Sequence, residues 1–84
     1  MSKMLASYDL RKPGRNYQPL YARLDAWGAK RVLESVWILT ANASPEEVGN
    51  DLLAYMDVSD GLLVVGLDGS AAWSNVQNPN PLAA

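Results

Sequence analysis

The order of structure-forming segments predicts an α+β fold with two helices on one face of a four-stranded antiparallel sheet. Three observations carry this reading. Four short runs are rich in apolar and β-branched residues or alternate with period two. Two longer stretches space their apolar residues as one helical face. The two kinds succeed each other as strand, helix, strand, strand, helix, strand, the βαββαβ order of the ferredoxin-like sandwich. Residues 1–76 read as one such domain, closed by a short carboxy-terminal extension that covers an edge, and 77–84 as a mobile tail.

In residues 3–9, Met4, Ala6 and Tyr8 alternate with Leu5, Ser7 and Asp9, which predicts a strand. Arg11-Lys12-Pro13-Gly14-Arg15 is a loop, since Pro-Gly is a strong turn signal. A helix is predicted over 17–27, with Asn16 as its cap, Pro19 in the tolerated first turn, and Leu20, Leu24 and Trp27 as its apolar stripe. Gly28 ends it, because glycine accepts the left-handed conformation that closes a helix. Residues 29–40 are too long for one ordinary strand. They read as two, 30–33 and 36–40, joined at Glu34-Ser35; one continuous strand with a bulge there is the competing reading.

Ser44-Pro45-Glu46-Glu47 opens the second helix. Ser44 can accept from the Glu47 amide while the Glu47 side chain reaches back, and proline suits the first helical position. Val48, Leu52, Tyr55 and Met56 form its inner face. Asp60-Gly61 is a turn, Leu62-Leu63-Val64-Val65 is a strand apolar on both sides, and Asp68-Gly69 turns again. Residues 70–76 read as a short edge strand or a helical turn anchored by Trp73. Gln77-Asn78-Pro79-Asn80-Pro81 breaks regular structure.

Two consequences follow from this topology. The last strand lies at a sheet edge, and an edge this apolar needs cover, for which residues 70–76 are available from the same chain or a partner. Two helices also leave one face of the sheet open. Apolar residues on both sides of the strands predict a homodimer built on that face, with Leu5, Trp37 and Leu63 or Leu62 in the contact.

Composition narrows the chemistry. The 84 residues are 49% hydrophobic and 19% charged, with neither cysteine nor histidine. Disulfides, thiol chemistry, histidine-based nucleophile systems and Cys/His zinc sites are excluded. All seven basic residues lie within the first 31 positions, opposed there only by Asp9 and Asp25. From Val32 onward there are seven acids and no base. This split points to a polyanion-facing patch or an electrostatically self-complementary dimer. The longest apolar runs fall far short of the roughly 18 residues of a membrane span. The first residues lack a signal-peptide pattern, so a cytoplasmic location and no membrane partner are expected.

Tyr8-Asp9-Leu10 ending the first strand, Arg31-Val32 followed by Glu34-Ser35-Val36-Trp37, and Asp60-Gly61-Leu62-Leu63-Val64-Val65 together resemble the superfamily of CRISPR-associated protein 2. That superfamily includes the virulence-associated protein D toxins and the SinR-like small proteins, and the SinR-like branch is the nearest. The resemblance implies a ferredoxin-like homodimer acting on nucleic acid. It also implies that Asp9 is the catalytic acid and the metal ligand, facing its mate across the dimer so that the pair holds Mg²⁺ or Mn²⁺ for phosphodiester hydrolysis. Such an ion acidifies its bound water and stabilises charge on a phosphoryl oxygen. Arg11-Lys12-Pro13-Gly14-Arg15 departs from the polar, helix-forming stretch that usually follows this aspartate. Superfamily members also include scaffolds, so a non-catalytic or toxin–antitoxin-type interaction module is the alternative.

Beside Asp9, the basic residues Arg11, Lys12, Arg15 and Arg31 are the candidate nucleic-acid contacts. The ordinary roles stand beside these: Asp9 as a strand-end residue bonded to a loop, and the basic run as a solvated loop. Trp37 reads as core or dimer packing before base stacking, and Trp27 as core. Glu46 and Glu47 are explained by capping, and Asp57, Asp60 and Asp68 by turns. The capping box yields a first testable outcome. Ser44→Ala is expected to cost about 1 kcal/mol of stability, read from the urea midpoint against the unaltered chain.

Overall fold

The computed structural model describes residues 1–67, 72, 74 and 77. Its elements are β1 (Ser2–Asp9), α1 (Gln18–Ala26), β2 (Lys30–Leu33), β3 (Val36–Ala41), α2 (Pro45–Leu53) and β4 (Gly61–Gly66). The sheet order is β2-β3-β1-β4 with every pairing antiparallel, which is the ferredoxin-like βαββαβ arrangement. The α+β fold class read from the sequence is the one observed.

Antiparallel partners share a sheet face, so register decides what each face contains. Ala6 lies opposite Trp37 on one side and Val64 on the other; Leu5 lies opposite Ile38 and Val65. Met4, Ala6, Tyr8, Trp37 and Leu39 pack with Leu20 and Leu24 of α1 and Val48 and Leu52 of α2 in one core. Trp37 thus belongs to the helix-covered face. Its expected place in an open-face contact is corrected: it follows Ala6 in the ladder, stacks against Tyr21 of α1 with ring centres 6.3 Å apart, and is buried.

The opposite face is unevenly covered. Val32 and Ile38, at its β2–β3 side, are buried, while Leu63 and Val65 of β4 are 57% and 37% exposed. At the far edge of the sheet the Gln77 amide donates to the Val32 carbonyl at 2.8 Å. The expectation that 70–76, with Trp73, covers the β4 edge lies outside the described residues. Gln77 itself stands on the edge opposite β4.

Helix ends follow local chemistry. The α2 capping box is complete: the Glu47 amide donates to Ser44 Oγ, and the Ser44 amide to Glu47 Oε1, each at 3.1 Å. The α1 start differs from the expectation. Tyr17, with no capping side chain, takes the cap position, and Asn16 Oδ1 accepts from the Gln18 amide two residues on. An Asx turn competes with the cap geometry and wins here. At the other end Ala29 donates to the Leu24 carbonyl and Gly28 to that of Asp25, a Schellman motif with Gly28 at φ +79°. The two-strand reading of 29–40 holds, with Glu34-Ser35 as the turn; the irregularity of the ladder falls between Arg31 and Leu33 rather than at the turn.

The helices are tied across their exposed sides. Arg23 of α1 donates to both Asp51 carboxylate oxygens at 2.6 and 3.0 Å, and the Trp27 indole N–H adds a third bond at 2.9 Å. Two glycines should respond oppositely to alanine. Gly28→Ala meets no neighbour but must hold a left-handed backbone, so a loss of about 1 kcal/mol is expected. Gly49→Ala sits inside α2, its new methyl 3.7 Å from Val64, and should gain about 0.5 kcal/mol. Chemical denaturation of the two variants checks both signs.

Candidate functional site at the end of the first strand

Alternation along β1 sends consecutive residues to opposite faces, so Tyr8 enters the core while Asp9 emerges at the rim. The end of β1 meets the β2–β3 turn, and between them lies a cleft of about 280 Å³ lined by Tyr8, Asp9, Leu10, Tyr21, Arg31, Glu34 and Ser35.

The inner wall of the cleft is a fixed polar–aromatic cluster. The Tyr8 hydroxyl accepts from Arg31 Nη2 and from the Trp37 indole N–H, each at 3.1 Å, and donates to the Glu34 carbonyl at 3.2 Å. The Arg31 guanidinium lies over Tyr21 and Trp37, 4.7 and 5.4 Å from their ring centres, and donates again to the Glu34 carbonyl. Burial raises the Tyr8 pKa, outweighing the opposing pull of the Trp37 hydrogen bond and the Arg31 charge. The phenol is thus a neutral hydrogen-bonding hub at physiological pH, and Arg31 is a cation held by ring faces.

The outer rim is a loop network. Asp9, with a side chain 70% exposed, accepts from Arg11 Nε at 3.0 Å. Arg11 also donates from Nη1 to the Ser59 carbonyl and from its amide to Asp60 Oδ1 at 2.7 Å. Asp60 further accepts from the Tyr17 hydroxyl and the Asp57 amide, both at 2.8 Å. Asp57 accepts from the Ser59 amide and hydroxyl and lies 3.7 Å from Arg15. Gly61, paired with Asp9, gives the Arg11 guanidinium room, since a Cβ there would stand 3.1 Å from Nη2.

The structure gathers Asp9, Arg11, Lys12, Arg15 and Arg31 at one end of the molecule, but not as a bare basic patch. Each of the four arginines is engaged with an acid: Arg11 with Asp9, Arg15 with Asp57, Arg23 with Asp51 and Arg31 with Glu34. Lys12 sits in the exposed 12–15 turn, closed by the Arg15 amide bonding the Lys12 carbonyl. Sequence reasoning missed Asp60, which stitches the 10–17 loop to the 57–60 turn, and Tyr8 as the hub. Asp60-Gly61 reads as a turn in any sequence, and only the fold shows that its carboxylate reaches a distant loop.

Among the described residues no three metal-ligating side chains come together. Within one chain the Asp9 carboxylate is already bonded to a guanidinium, and by itself it does not make a Mg²⁺ or Mn²⁺ site. No helix of the described residues is long and apolar enough to cross a membrane. No protein-family model matches the chain, and no solved structure matches it.

The rim network has a pH signature. Burial pushes the Asp60 pKa up, but the amides of Arg11 and Asp57 and the Tyr17 hydroxyl outweigh it and hold the carboxyl below its usual range. Ser59 holds that of Asp57 low, and Arg23 does the same for Asp51. A depressed carboxylate contributes stability above its unfolded value, about pH 4, and loses it as the pH falls through the folded value. Asp60→Asn should therefore lower the melting temperature at pH 7 and flatten its decline below pH 4. Thermal unfolding at pH 7, 4 and 3 measures both; a decline parallel to that of the unaltered chain would show that Asp60 is not part of the acid response.

Proposed function

We propose that this protein is a homodimeric interaction module whose working surface includes its partly uncovered sheet face. The observation that carries the reading is the exposure of Leu63 and Val65 on the β1–β4 side of that face, beside half-buried Leu5. Adjacent apolar side chains in one strand of a small domain are costly to leave in water, and a twofold contact covers the same patch on both copies at once. The engagement of every arginine with an acid of its own chain supports an interaction module over a surface built for phosphates.

One observation favours a second reading, divalent-metal-dependent cleavage of RNA or DNA. Asp9 projects from the same side of β1 as Leu5, so a dimer packed there would bring two Asp9 carboxylates toward a common interface. Nucleic acid would then be held by Arg11, Lys12, Arg15 and Arg31, released from or shared with their acids.

The two readings separate in solution. The module reading expects a mass of two chains at micromolar concentration by sedimentation, and a monomer with unchanged circular dichroism for Leu63→Lys. It expects no chelator-sensitive cleavage and no salt-dependent binding to nucleic acid. Mg²⁺- or Mn²⁺-dependent cleavage abolished by Asp9→Asn, with binding whose salt slope falls in Arg11→Ala and Arg15→Ala, would establish the nuclease instead. A monomer in the unaltered chain would sink both.

A further inference from the structure

The ladder fixes which backbone groups β4 turns outward. Leu67 donates its amide to the Lys3 carbonyl at 3.0 Å, one step beyond the Met4–Gly66 pair, so residues 3 and 67 are a hydrogen-bonded pair. Antiparallel alternation then makes Leu5–Val65 and Ser7–Leu63 hydrogen-bonded pairs as well. The N–H and C=O groups of Leu62, Val64 and Gly66 consequently face away from β1, along what is an edge of the sheet among the described residues. Stable monomers blunt such edges with lysine, proline, an inward charge or a bulge. β4 has none of these: it reads Gly-Leu-Leu-Val-Val-Gly, uncharged, and pairs with β1 without a break in register.

We propose that β4 pairs antiparallel with β4 of a second copy about a twofold axis at Val64, joining two four-stranded sheets into one of eight. The proposal rests on the homodimer reading above and assigns the contact to the strand edge. Parity restricts the register, because only outward residues can bond outward residues. With Val64 facing its mate, Leu62 meets the Gly66 of the second copy, and all three outward residues are paired. Leu63 then lies across from the second copy's Val65, and Val65 from its Leu63, so both exposed apolar side chains gain a cross-strand neighbour. A register centred on Leu63 would set Val65 against a glycine. Charge agrees with antiparallel pairing of the two β4 strands, whichever residue lies on the axis. α2 packs beside β4, with Gly49 next to Val64, and the twofold runs the two α2 helices antiparallel. The acidic start of each helix, Glu46 and Glu47, is thereby kept from its mate and faces the half of the other helix that ends in exposed Leu53.

The chain has no cysteine, so a single introduced thiol reports one position. Paired residues across the axis would have Cα atoms about 5.5 Å apart. Val64→Cys, treated with a short bifunctional thiol cross-linker, should give a covalent dimer. Leu33→Cys, more exposed than Val64 and on the opposite edge of the sheet, should not. Amide exchange on the unaltered protein provides a measurement without substitution: Leu62, Val64 and Gly66 should be protected at high concentration and lose that protection on dilution. A dimer by sedimentation in which Val64→Cys does not cross-link, or Leu33→Cys does, overturns edge pairing and leaves the homodimer reading standing. So does a dimer whose three amides exchange freely. A monomer at every concentration overturns both.

Discussion

Two nine-residue helices shield one face of a four-stranded sheet, and the described chain has no third helix for the other. This constraint organises the rest of the molecule. The covered face takes the large side chains, Met4, Leu39, Leu20, Leu24 and Leu52, all without solvent exposure. The opposite face is divided. On the β2–β3 side Val32 and Ile38 are buried, and Gln77 bonds the edge of β2. On the β1–β4 side the apolar residues of the last strand meet water. A domain of this size cannot enlarge its core to absorb them, so the uncovered strip is the place where a second molecule would add most.

The charge split in the sequence is resolved inside the fold. The first half of the chain builds β1, α1 and β2, the second builds β3, α2 and β4, and the βαββαβ order interleaves the two halves in space. Basic residues of the first half thus meet acids of the second, Arg15 with Asp57 and Arg23 with Asp51, while Arg31 meets Glu34 within the adjoining turn. Pairs as exposed as these contribute little stability individually. Their effect is on the surface potential, because a segment that looks strongly basic in sequence carries its counter-charges beside it in three dimensions. Charge complementarity that reads as a property of two molecules is met within one.

The elements were largely legible because local signals agreed with each other. Ser44 and Glu47 define a capping box wherever they occur ahead of an apolar helical face, and Gly28 ends α1 by the one backbone conformation it favours. Alternation in β1 was equally plain. Trp37 was misplaced because alternation gives two faces without saying which one the helices take; that follows only from register, which here joins Ala6 and Trp37 from distant parts of the chain. The site shows the same division. Asp9 and its basic neighbours are visible as a cluster in the chain, whereas Asp60 acquires its role from a loop 49 residues away, and Tyr8 from three partners that no local pattern connects.

That difference bears on what Asp9 can do. Its carboxylate is exposed, but the cation beside it is not free to leave without cost. Arg11 is held by its guanidinium to the Ser59 carbonyl and by its amide to Asp60, so the positive charge stays near Asp9 even as the Asp9 side chain turns. A divalent cation approaching Asp9 would meet that charge at short range in a partly exposed site, where screening is incomplete. Metal binding at Asp9 would therefore depend on the 57–60 turn as much as on the acid itself. A second carboxylate, or a phosphate that draws Arg11 away, would have to offset the guanidinium before an ion could be held.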